Sequence, residues 1–191
     1  MERFGIPPQR PAFDEHKATE AASILLELSS GEMQYMKLLK LLYLADRRAL
    51  QLWERPITFD RYASLDQGPV LSNAYDIIKS KAVDSGDFWS EFIVPAGRYR
   101  VQLRGDPPKM VKLSSAEIDV LREVFKEFGG WDQWKLVEYT HQLPEYKDPH
   151  GSSIPIELDA ILSALSYSAR DIARIGLELE EEASVDRILG A

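Results

Sequence analysis

The 191-residue sequence predicts an α+β domain that is predominantly helical, with about six to seven helices around a central apolar helix and a small antiparallel sheet. Two observations carry that expectation. The run from Met33 to Trp53 is apolar around most of its circumference, as befits a helix enclosed on all sides. Strand-like alternation, in contrast, is confined to two short stretches, one near residues 57–65 and a hairpin near 91–103.

Residues 1–13 carry Pro7, Pro8 and Pro11 and read as an extended arm. From Asp14 to Leu28, Ala18, Ala21, Ala22, Leu25 and Leu28 recur at helical spacing until Ser29-Ser30-Gly31 stops the run. The central helix follows. Its polar exceptions Lys37, Lys40, Arg47, Arg48 and Gln51 gather on one stripe, and Asp46 falls opposite, among Leu39, Leu42 and Leu50. The strand over 57–65 is expected to alternate Ile57, Phe59, Ala63 and Leu65 against Thr58, Asp60, Tyr62 and Ser64. A turn at Asp66 to Pro69 leads to a helix that Pro69 opens, with Leu71, Ala74, Tyr75, Ile78 and Ala82 as its face.

The hairpin sets Tyr99, Val101 and Leu103 against Arg98, Arg100, Gln102 and Arg104. Ser114 and Glu117 have capping-box spacing ahead of Ile118, Leu121, Val124, Phe125 and Phe128, and Gly129-Gly130 closes that helix. A short helix ends near Pro144 with Trp134, Val137 and His141 on one face. Ser153 is placed to cap a helix containing Ile156 to Leu165. Residues 14–165 thus form the domain, and 166–191 form an acidic C-terminal helix and tail using Ile172, Ile175 and Leu179.

Composition narrows the chemistry. Cysteine is absent, which removes disulfides, zinc-thiolate and iron-sulfur sites and thiol nucleophiles. The formal net charge is -8, so nucleic-acid binding cannot rest on overall attraction to phosphate. No stretch approaches the length of a membrane span and the N-terminus lacks a signal-peptide core, so a cytoplasmic location without membrane partners is the expectation. Neither GxxxxGK[ST] nor GxGxxG occurs, and His16, His141 and His150 lack metal-ligand spacing, so no cofactor or metal is implied.

A carboxylate at Asp46 needs a partner, and the strand alternation offers Arg61, whose guanidinium fits both carboxylate oxygens. Asp46, Arg61 and His141 are accordingly expected to form a polar core. An enzymatic alternative, a hydrolase using Asp46, Asp60, Tyr62 and His141, requires those groups to converge between helix, strand and late helix. The basic stripe and the arginine edge of the hairpin are solvated faces or contacts for an acidic partner protein or a phosphate-bearing ligand.

Taken in order, KLLKLLYLADRRAL, PITFDRYASLDQGPVLSNAYDIIK and LSSAEIDVLREVFKEFGGWDQWKLVEYTHQLPEYKD resemble the Panacea domain of SocA-like antitoxins over roughly residues 15–165. The resemblance implies an antitoxin, not an enzyme, that binds a co-encoded protein toxin directly. It also implies an alternative, an adaptor that delivers a toxin to an AAA+ protease; a DNA-binding autoregulator that reads operator DNA through a basic patch is a further alternative, which the charge total disfavours. Carried over residue by residue, the motif places Leu38, Leu39, Leu41, Leu42, Tyr43 and Asp46 in the core helix, Asp60 and Tyr62 on the strand, Gly68 and Pro69 at the turn, and Tyr75 and Trp134 beyond it. Aromatics and arginines dominate binding hot spots, which makes Tyr62, Tyr75, Arg98 and Arg100 the candidate toxin contacts.

Overall fold

The computed structural model describes residues 11–79 and 88–189. Most of the N-terminal arm, together with Ala82 of the expected helix face, lies outside the described residues. Helix α1 (Glu15–Leu28) starts where Asp14 accepts a hydrogen bond from the Lys17 amide, and it leads into β1 (Glu32–Gln34). The central helix is α2 (Tyr35–Trp53), which Glu54 ends in the left-handed conformation at φ 60°. Leu38, Leu39, Leu41, Leu42 and Leu50 are buried at its core face. Helix α1 packs on one side of it.

The next strands are β2 (Tyr62–Leu65) and β3 (Gly68–Leu71), followed by α3 (Ser72–Lys79), α4 (Phe88–Phe92), β4 (Ile93–Pro95) and β5 (Arg100–Leu103). Helix α5 (Ser115–Phe128) opens with the anticipated capping box, Ser114 and Glu117 bonding reciprocally, and sets Val120, Leu121, Val124 and Phe128 against α1 and α2. Then come α6 (Gln133–His141), β6 (Ile154–Ile156), α7 (Leu158–Ala164) and α8 (Ala169–Leu189). The described residues therefore form a mostly helical α+β structure with eight helices and two three-stranded antiparallel sheets, ordered β1-β5-β4 and β3-β2-β6.

Several elements differ from the sequence reading for identifiable reasons. Phe59 adopts φ 52°, which no strand tolerates, so β2 begins only at Tyr62. Pro69 lies inside β3, paired with Ser64, and does not open a helix. It is accommodated because β3 is an edge of its sheet, where a missing amide hydrogen need not interrupt a ladder. Residues 154–156, read as the start of a helix, instead add a third strand, with Ile156 opposite Tyr62. The buried face of α6 is Leu136, Val137 and Thr140, leaving Trp134 and His141 outside.

Helix α8 lays Ile175, Leu179 and Ala183 on the body of the chain. It is also tied to the end of α2, where Arg174 Nη2 lies 2.7 Å from Glu54 Oε1. No helix among the described residues is long and apolar enough to cross a membrane.

Candidate functional site

Asp46 is 1% exposed, and its carboxylate accepts four hydrogen bonds. The amides of Ile57 and Thr58 reach Oδ1 at 2.9 and 3.0 Å, and the hydroxyls of Thr58 and Tyr62 reach Oδ2 at 2.6 and 2.9 Å. Burial pushes the carboxyl up to about 6, against the pull of these donors, chiefly Thr58. The chain after α2 is thereby folded back onto the helix that it has just left.

Arg61 is not the partner of Asp46. Because the strand starts at Tyr62, Arg61 faces solvent and donates to Asn73 Oδ1 at 3.1 Å. Tyr62, expected as a surface contact, is 6% exposed and spends its hydroxyl on Asp46. Asp60 accepts the amides of Asn73 and Ala74 at 2.8 and 3.0 Å, satisfying free N–H groups in the first turn of α3. His141 is exposed and stacks on Tyr146 at 4.5 Å, so it does not join the polar core.

The sequence reading placed Lys40 on a solvated stripe, but it is 0% exposed. Its Nζ donates to the Pro69 carbonyl at 2.7 Å, and burial pushes its pKa down to about 7. Above it sits Gly68 at φ 93°. A Cβ there would come within 2.7 Å of Thr140 Oγ1, 3.0 Å of Lys40 Nζ and 3.2 Å of His141 Cδ2. Gly68 thus serves both a left-handed turn and a close approach of α2, β3 and α6. The rest of the stripe is also engaged internally: Lys37 donates to the Gly129 carbonyl, Arg47 to Glu145 and Arg48 to Glu127. Sequence reasoning missed Lys40, although its helical neighbours Met36, Tyr43 and Leu44 mark that face as apolar. It missed Glu20 as well, a fully buried carboxylate that accepts the amides of Val111, Lys112 and Leu113.

The turn that Lys40 and Gly68 hold in place contributes Asp66 and Gln67 to the lining of a groove. One part, a cavity of about 330 Å³, is lined by Gln34, Tyr35, Met36, Gln67, Tyr99, Gln133 and Trp134. It shares Tyr35, Met36 and Gln67 with a second cavity of about 340 Å³ that adds Leu65, Asp66, Tyr75 and Ser152. Trp134 and Tyr99 are 60% and 53% exposed, high values for rings of that size. Lys79 Nζ lies 4.8 Å from the Tyr35 ring centre and 5.7 Å from that of Tyr75, while the Arg98 guanidinium lies 5.0 Å from that of Tyr99. Arg100 pairs with Glu32 on the neighbouring strand.

Residues 38–147, more than half of the chain, match the family model described as antitoxin SocA-like, Panacea domain. The chain belongs to this family. No curated protein and no solved structure matches it. The Panacea match takes in Asp46, Asp60, Tyr62, Gly68, Pro69, Tyr75 and Trp134. In the structure these residues divide into two sets. Asp46, Asp60, Tyr62, Gly68 and Pro69 fix the path of the chain through β2, β3 and the start of α3, whereas Tyr75 and Trp134 line the groove.

Proposed function

We propose that this Panacea-domain chain is an antitoxin that neutralises a cognate protein toxin by binding it directly, with the aromatic groove as the contact surface. Membership of the family supplies the toxin partner in outline. The observation that supports the groove is the exposure of Trp134 and Tyr99 beside Tyr35 and Met36. Exposed rings on a rigid floor gain the most from burial against a partner and lose little side-chain freedom in doing so.

The rigidity comes from the polar network below. Lys40 holds the Pro69 carbonyl, and the Tyr35 amide donates to the Tyr99 carbonyl at 3.0 Å, which joins the start of α2 to the hairpin. Binding would then need little reorganisation, which favours affinity. The test is recovery of the tagged full chain from its native cells with its stoichiometric partner, followed by a growth assay of that partner. A partner toxic alone and harmless beside the wild-type chain, but toxic beside Trp134→Ser or Tyr99→Ser, is the expected result. Rescue by both variants at wild-type strength would overturn the groove as the contact, and recovery of the chain alone would overturn the antitoxin reading.

A further inference from the structure

The chain has a net charge of -8, and many of its exposed cations are neutralised by nearby carboxylates: Arg48 by Glu127, Arg55 by Glu182, Arg100 by Glu32 and Arg174 by Glu54. Lys79 and Arg98 differ. Among the described residues neither has an ionic partner, and each rests instead on tyrosine rings. All three of those rings line the groove, Tyr35 and Tyr99 in one cavity and Tyr35 and Tyr75 in the other. Met36, which is buried, and Trp134, whose indole is exposed, line the same cavity as Tyr99. Gln34, Gln67 and Gln133 also line that cavity, and among the described residues none of their side-chain amides is hydrogen-bonded.

We infer that the groove takes an extended protein segment in which an acidic side chain stands within a few residues of an aromatic or long aliphatic one. The carboxylate is received between Lys79 and Arg98, the apolar side chain packs on Trp134 and Met36, and the glutamine amides bond the segment's backbone. Each feature answers a different part of such a segment. A guanidinium and an ammonium complement a carboxylate, and their positions on tyrosine rings shield part of each from water. Primary amides match peptide N–H and C=O groups equally well. Two cations are too few to hold a polyphosphate backbone against the charge of the whole chain, which favours protein over nucleic acid. This inference rests on the groove being the contact surface, and it adds the chemistry of what enters.

The probe is a phage-displayed library of random 12-residue peptides, selected on the immobilised full chain. Enriched sequences should carry Asp or Glu close to Phe, Trp, Leu or Met. A synthetic representative should bind the Lys79→Glu/Arg98→Glu variant at least tenfold more weakly than wild type, and the peptide with its acid changed to Lys should regain binding to that variant. An unchanged melting temperature keeps the comparison a surface effect. Enrichment without acidic residues, equal binding to the double variant, or no enrichment beyond that on a Trp134→Ser chain would each sink the inference. So would displacement of the peptide by a 12-nucleotide oligothymidylate that binds more tightly. Toxin rescue separates the two levels. Loss of rescue in Trp134→Ser with full rescue by the double variant removes the acidic segment and keeps the groove, whereas full rescue by both removes the groove itself.

Discussion

Lys40 offers a quantitative test of the network beneath the groove. Its amine is fully buried with the Pro69 carbonyl as its hydrogen-bond acceptor, and burial brings its pKa from the ordinary 10.5 to about 7. Below pH 7 the amine is charged in both folded and unfolded chains, and the folded chain bears the cost of burying that charge. Between pH 7 and 10.5 the unfolded chain holds a proton that the folded chain has released, so stability rises with pH across that window. The shift of three to four pK units corresponds to about 5 kcal/mol at low pH, of which roughly half is relieved between pH 6 and pH 9.

Lys40→Met keeps the volume of the side chain and removes the titration. Urea unfolding of both proteins at pH 6 and pH 9 reads the difference directly, and shifts shared by both proteins, such as that of Asp46, cancel. Relative to wild type, Lys40→Met should be about 2–3 kcal/mol less favourable at pH 9 than at pH 6. An identical wild-type-to-variant difference at the two pH values would refute a buried, titrating Lys40.

Three further substitutions test the remaining geometry. Asp46→Ala strips the acceptor from two amides and two hydroxyls, and chemical denaturation should show a loss of about 4 kcal/mol, whereas Asp46→Asn, which keeps one oxygen, should lose about half as much. Gly68→Ala places a methyl 2.7 Å from Thr140 Oγ1 at φ 93°, so thermal melting should report a loss of about 2–3 kcal/mol. Arg61→Ala removes only an exposed hydrogen bond to Asn73, and its unfolding free energy should stay within about 0.5 kcal/mol of wild type. A large loss there would reinstate the ion pair with Asp46.

The helices were legible in the sequence wherever periodicity agreed with a cap or a stop, as at Ser29-Ser30-Gly31 for α1 and at Ser114 with Glu117 for α5. The central position of α2 was legible from its nearly continuous apolar surface. Of the short strands, the hairpin of β4 and β5 and the second half of the 57–65 stretch were legible, whereas β1, β3 and β6 were not. Three residues at 154–156 have no periodicity to read, and their identity as β6 is set by pairing with Tyr62, Ala63 and Ser64. The demand of Asp46 for partners was visible, but the wrong donors were expected, because hydrogen bonds from local backbone leave no mark in composition. Lys40 was misread because a helical stripe of cations reports charge and not depth. Of the groove, Tyr75 and Trp134 could be marked through the family pattern, while Tyr35, Met36 and Tyr99 reach it only through tertiary contacts that bring β1, β5 and α6 to one end of the molecule.

Amide hydrogen exchange on the full chain, free and saturated with its recovered toxin, tests the central claim most directly. New protection concentrated at residues 34–36, 65–68, 98–100 and 133–135 is the result that a toxin-filled groove predicts. Protection confined to α8 or α5, with those four segments exchanging as in the free chain, would contradict it.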